Sequence, residues 1–207
     1  MSAYVPDNPL IVQSDRTVLL EVHSPRAEAA REAIVPFAEL LKSPEHIHTY
    51  RITPLSIWNA RAAGLSTRVM IEVLDQYAKY PVPEGVAQEI EALGRRYGLA
   101  VIERDAEGLV LRVADAPLAE LLARDRRVAP LLGERVAELR FHIRLGVRGL
   151  LKQALVAIGY PADDLTGYTD KTGDVEKNLE LAKERAKAVR EALKAAGVAE
   201  DRINMKP

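Results

Sequence analysis

Apolar positions fall in short bursts along the chain, and their spacing changes from about two to about 3.6 and back. Leu10 to Val12 and Thr17 to Val22 are β-rich runs around the polar stretch Gln13 to Arg16, which predicts a β-hairpin. Ser24 and Pro25 then predict a helix start, with Ala30, Ile34, Phe37 and Leu41 on one face and Pro36 kinking or splitting it. His48 to Ile52 predicts a short strand. Thr53-Pro54 opens a helix striped by Leu55, Trp58 and Ala62 and stopped at Gly64. Ser66 or Thr67 caps the next helix, with Val69, Val73 and Tyr77 inward and Met70 and Leu74 beside them. After Pro81 and Pro83, a third helix aligns Val86, Ile90, Leu93 and Tyr97 and ends at Gly98. Leu99 to Arg104 and Leu109 to Val113 then form a hairpin about a turn at Asp105 to Gly108.

Three helices followed by a hairpin is the order of a winged helix. Beyond Asp115 the pattern predicts a helix over Pro117 to Ala123, a broken helical stretch over Arg126 to Leu132, a strand over Glu138 to Arg144 and a helix over Gly146 to Ile158. Ala162 to Asp164 reads as loop. A long amphipathic helix runs from Asp174 to Ala196, with Leu179, Ala182, Ala186, Val189 and Leu193 aligned. The expected fold class is α+β: an N-terminal β-hairpin and helix (1–52), a winged-helix-like centre (53–115), a second small α/β piece (116–165) and a C-terminal segment (166–207) carrying the long amphipathic helix.

Composition narrows the function classes. Cysteine is absent, which removes disulfides, thiolate metal sites and a cysteine nucleophile. The net charge of -1 leaves no global attraction to nucleic acid, so any such surface has to be a local patch. The N-terminus lacks a signal-peptide pattern and no apolar run approaches a membrane span, so the expected location is cytoplasmic, with no membrane partner.

Catalytic motifs are missing. No glycine is followed by lysine, so there is no phosphate loop; dinucleotide turns, nucleophile elbows and the zinc-protease helix motif are also missing. The carboxylates sit on charged helix faces. His46 and His48 point the same way if they share a strand, but no third ligand accompanies them, and a catalytic metal wants three. Trp58 lies on an apolar stripe and reads as core. The expectation is therefore a binding module with no catalytic residues, metal or cofactor of its own.

One charge cluster stands out. From Leu122 to Lys152 there are eight basic residues against three acidic ones, a local net of +5. Neutralising phosphates is the main source of affinity for nucleic acid. The candidate nucleic-acid residues are Arg126, Arg127, Arg140, Arg144 and Arg148, with Arg95 and Arg96 at the end of the third helix and Arg104 on the hairpin. A solvated mixed surface is the competing reading. Glu84, Glu89 and Glu91 on the third helix oppose a groove-reading role for it and favour protein docking.

The run from Pro9 to Val22 resembles the start of bacterial XPB-type DNA helicases, and the resemblance continues from Pro36 to Gly64. It reappears at Tyr80 to Pro83, Arg96 to Gly98, Val128 to Gly133, Leu151 to Leu155 and Gly159 to Leu165. It implies an N-terminal accessory domain that precedes two ATPase lobes, contacts those lobes, repair proteins and DNA, and positions the motor.

The tail is similar to another family. Gly167 to Gly173 and Asn178 to Ala186 resemble the central part of OmpA-like peptidoglycan-binding domains. The resemblance implies that Asp170, Asn178 and Arg185 hold diaminopimelate, an arginine meeting a carboxylate and an aspartate an ammonium. The usual serine of that motif is Ala182 here. Two families joined near Leu165 to Tyr168 imply a chimera: a natural fusion, or recombined fragments with no selected function. A plain amphipathic helix is the bland alternative for the tail.

Overall fold

A computed structural model describes residues 4–168. The chain divides into two compact units, residues 1–164 and 165–207. Of the second unit, only a short 3-10 turn over Leu165–Tyr168 lies within the described residues. The expected C-terminal helix, with Asp170, Asn178 and Arg185, lies outside them.

The first unit mixes helices and strands, with six α-helices and two sheets among the described residues. The first sheet contains β1 (Leu10–Val12), β2 (Thr17–Glu21), β3 (Glu39–Lys42) and β4 (Ile47–Arg51) in the order β1-β2-β4-β3. The β1–β2 hairpin forms as expected, with Ile11 opposite Leu19. Its turn is closed by Asp15, whose carboxylate accepts from the Thr17 N–H at 2.9 Å and the Thr17 hydroxyl at 3.0 Å. Those two bonds, with Arg51 nearby, hold the Asp15 carboxyl below its ordinary value. Their stabilisation is present at neutral pH and is lost as pH falls through that lowered value.

Helix α1 is shorter than expected, spanning Ala27–Ile34, and Ser24 does not cap it. The Ser24 hydroxyl donates instead to the Asp7 carbonyl. The helix does not continue through Pro36. Ala30, Ile34 and Phe37 are buried, but the chain then extends into β3, where Leu41 is half-exposed. A proline removes a ladder donor and clashes with the preceding turn, so the helix stops before it.

Helices α2 (Pro54–Ala62), α3 (Thr67–Tyr77) and α4 (Glu84–Arg96) follow. Thr53 caps α2 in a reciprocal pair with Ser56: its Oγ1 accepts from the Ser56 N–H at 3.0 Å, and the Ser56 Oγ accepts from the Thr53 N–H at 2.9 Å. Ser66 caps α3 by accepting from the Val69 N–H. Each such cap contributes about 1 kcal/mol. The buried faces differ from the expected stripes. In α2 the buried residues are Ser56, Ile57, Trp58 and Ala60, while Leu55 is exposed. In α3 they are Met70 and Leu74, and Val69 is exposed. These helices and the first sheet share one core that includes Leu20, Phe37, Ile57, Met70 and Ile90.

The second sheet contains β5 (Ala100–Arg104), β6 (Leu109–Val113), β7 (Leu132–Ala137), β8 (Arg140–Ile143) and β9 (Ala162–Asp164), in the order β7-β8-β6-β5-β9. Helices α5 (Ala116–Arg124) and α6 (Arg148–Ala157) pack on it, with a 3-10 turn over Ala129–Leu131 between them. Its core includes Ile102, Leu111, Leu122, Phe141 and Leu155.

The element order of a winged helix is present, but the hairpin is not a free wing. β6 pairs with β8 and β5 pairs with β9, so both of its outer edges are occupied. Its inward residues join the second core, whereas α2 to α4 bury theirs in the first.

The broken helical stretch expected over Arg126 to Leu132 is present as a turn and the 3-10 helix Ala129–Leu131, β7 starts at its last residue in a segment the pattern left unassigned, and β9 corrects a segment read as loop. β9 lies parallel to β5, with Val101 opposite Asp163. Asp164 fastens it: one carboxylate oxygen accepts from Arg148 at 2.8 Å and Lys152 at 3.1 Å, both on α6, while its side chain is only 8% exposed. Asp164→Ala is expected to lower stability by about 1–3 kcal/mol, since two cations lose a shared buried acceptor. Urea unfolding followed by circular dichroism reads this directly.

Candidate nucleic-acid interface

The basic residues expected to form one patch are distributed over several elements, and folding supplies them with acids from elsewhere in sequence. Arg140 on β8 lies opposite Arg112 on β6. Glu103 on β5 meets both, at 2.6 Å from Arg140 and 3.4 Å from Arg112. The Arg140 Nε is buried without a partner. Arg135 pairs with Glu120 at 2.6 Å and lies over the Phe141 ring, and Arg124 pairs with the same Glu120 at 3.6 Å. The hydrogen bond from Arg135 holds the Glu120 carboxyl below its ordinary value. Arg127 pairs with Asp125, whose carboxyl is lowered chiefly by the Arg127 N–H. Arg148 and Lys152 are matched by Asp164.

Within the cluster, this leaves Arg126 and Arg144 without a carboxylate among the described residues. Arg126 is exposed and unpaired among the described residues, and Arg144 donates its Nε to the Leu132 carbonyl at 3.0 Å. Outside the cluster, Arg104 is exposed with no ion pair among the described residues. Arg95 is tied to Glu91 one helical turn away, and Arg96 stacks over the Tyr160 ring at 5.5 Å. Exposed pairs of this kind contribute little to stability, about 0–1 kcal/mol.

The histidines pair differently from the sequence expectation. His46 precedes β4 and meets His23, not His48: the His23 Nε2 and His46 Nδ1 are 2.9 Å apart. They line a cavity of about 420 Å³ with Asp7 and Glu21, and Glu21 is taken by Lys79. The His48 Nδ1 is buried without a hydrogen-bond partner. Among the described residues no group of three or more metal-type side chains is placed to hold an ion.

Trp58 is core, 5% exposed, with its Nε1 donating to the Leu93 carbonyl at 2.9 Å. It lines an open groove of about 500 Å³ together with Leu55, Leu93, Val156 and Ile158. Its lining comes from three stretches distant in sequence, 53–58, 93–96 and 156–159, so no local pattern announces the groove. Among the described residues no helix is long and apolar enough to cross a membrane.

Comparison with known proteins agrees with the helicase resemblance over most of the chain. The chain is 49% identical over 165 residues to the DNA 3'-5' helicase XPB of Kineococcus radiotolerans, covering 79% of this chain and 30% of that protein. It is 48% identical over the same length to the protein of that name from Mycobacterium tuberculosis, with the same coverage. It is 34% identical over 121 residues to the XPB/SSL2 helicase/translocase subunit of the general transcription and DNA repair factor IIH of Saccharomyces cerevisiae, covering 58% of this chain and 14% of that protein. The chain thus spans about 30% of the length of its bacterial curated relatives. Residues 161–206 match the OmpA family, starting slightly before the segment expected from 166. The placement of the helicase stretch is corrected: it was expected to be N-terminal, but the matching family is described as a helicase C-terminal domain. With residues 10–137 matching, the chain belongs to the helicase conserved C-terminal domain family.

Proposed function

We propose that the chain is a non-catalytic accessory module of an XPB-type DNA repair helicase, acting in the cytoplasm. It contacts the ATPase lobes or repair proteins, and it contacts DNA through its uncompensated arginines. The observation that carries this reading is the 165-residue match to relatives named DNA 3'-5' helicase XPB, at 30% of their length. The absence of a phosphate loop from the sequence agrees with a role in presenting a surface.

The arginines then divide by what they already hold. Arg126, Arg144 and Arg104 have no carboxylate to give up among the described residues and make the first phosphate contacts. Arg95, Arg96, Arg127, Arg140 and Arg148 exchange an existing partner and add less. Binding of forked DNA should weaken linearly in log affinity with log salt, and Arg126→Ala with Arg144→Ala should lower that slope by about 0.9 per phosphate contact removed. Fluorescence anisotropy at several salt concentrations, with pull-down of the ATPase lobes, tests the reading. No DNA binding and no capture of the lobes would reject it.

A second reading rests on the OmpA match at 161–206. In it the tail binds peptidoglycan, with Asp170, Asn178 and Arg185 on the diaminopimelate. Titration with diaminopimelate, followed by NMR shifts of those three residues, separates it from a fused segment with no ligand.

A further inference from the structure

We propose that the free edge of β3 docks a second copy of this chain, the two edges pairing antiparallel about a two-fold axis. The two edges of the first sheet are treated differently. β1 is closed off by a bridge between Leu10 and Ala78 and by the Lys79 N–H donating to the Leu10 carbonyl. β3 has β4 on one side and no strand on the other among the described residues, and all four of its residues are exposed. Leu40 and Leu41 are 54% and 51% exposed. A bare edge offers unpaired N–H and C=O groups as a template for another strand.

The order of residues selects the occupant. Read against itself in the antiparallel direction, Glu39-Leu40-Leu41-Lys42 places Glu39 opposite Lys42 and Leu40 opposite Leu41. Both ends of the pairing bring opposite charges together, and the middle brings leucine to leucine. A two-fold interface needs this self-complementarity, because each patch must fit its own copy. The register against β4 slips between Leu40 and Lys42, so Leu41 is the bulged residue. A bulge twists an edge, and Pro44 cannot donate, so the paired run is short. Association is therefore weak, with a dissociation constant on the order of 0.1 mM. Glu39 already accepts from the Thr53 hydroxyl through Oε1, which leaves Oε2 for the partner lysine.

Sedimentation equilibrium of the full 207-residue chain tests the proposal. The unaltered chain should show a concentration-dependent dimer. Glu39→Lys and Lys42→Glu should each weaken it by about tenfold, since each sets like charges across both ends. An equimolar mixture of the two variants should restore dimerisation, because each introduced charge then faces its opposite. A variant that merely unfolds cannot be rescued by mixing. A chain that stays monomeric throughout, a dimer indifferent to both substitutions, or a mixture that stays dissociated would overturn the proposal.

Discussion

Phe37→Ala should cost the first unit about 3–5 kcal/mol, whereas Leu41→Ala, one helical turn further on by sequence, should change stability by less than about 0.5 kcal/mol. Phe37 is fully buried in the core shared by the first sheet and α1 to α4. Truncation removes a large apolar side chain and leaves a cavity that neighbours such as Ile57 and Ile34 cannot fill. Leu41 lies on the bulged edge strand, half in water, and its truncation removes little buried surface. A continuous helix through Pro36 would bury both residues on one face and make the two costs comparable. Urea titrations of the two variants distinguish these geometries.

Gly94→Ala should also be destabilising, by about 1–3 kcal/mol, although alanine favours a helix interior by about 1 kcal/mol over glycine. Gly94 is buried in α4, and a Cβ built there would overlap the Thr67 Cγ2 at the start of α3. Two helices meet there at a distance that only a hydrogen on the α-carbon permits. Thr67 is β-branched and has little rotamer freedom with which to move away. Thr67→Ser deletes the offending methyl, so the double variant should recover most of the loss and keep the propensity gain. A double-mutant cycle reports this coupling. Full additivity of the two substitutions would contradict the packing described.

Most elements defined by local chemistry were legible in the sequence, the Ser24-Pro25 helix start excepted. The Thr53-Pro54 helix start, the Ser66 cap and the Asp105–Gly108 turn all form, because each rests on a hydrogen bond or φ preference within a few residues. The Asp105 carboxylate, for instance, accepts from both the Glu107 and Gly108 N–H groups. Elements defined by distant partners were not legible. β9 is a polar three-residue segment that becomes a strand only because β5 runs beside it and α6 supplies Arg148 and Lys152 to Asp164. β3 carries Leu41, an exposed leucine whose position mimics helical spacing after Ile34 and Phe37. In α3 the periodicity was read correctly, but the inward face was displaced: Met70 and Leu74 face the core, and Val69 faces water.

The same distinction applies to the candidate site. Counting charges from Leu122 to Lys152 finds a basic cluster, and each arginine is where the sequence puts it. What a linear count cannot show is that Glu103, Glu120 and Asp164 come from outside that window to meet Arg140, Arg135 and Arg148. Net charge along a sequence therefore overstates the field at the surface. The uncompensated residues Arg126 and Arg144 become distinguishable only after folding.

The most direct test of the accessory-module account is steady-state ATP turnover on forked DNA. It would be measured for this chain alone, for the part of the Kineococcus radiotolerans helicase outside the match, and for the two together. The account predicts no turnover by the chain alone and altered DNA-dependent turnover when it is added to the other part. Hydrolysis by the chain itself, or a mixture that behaves as the sum of its parts, would contradict it.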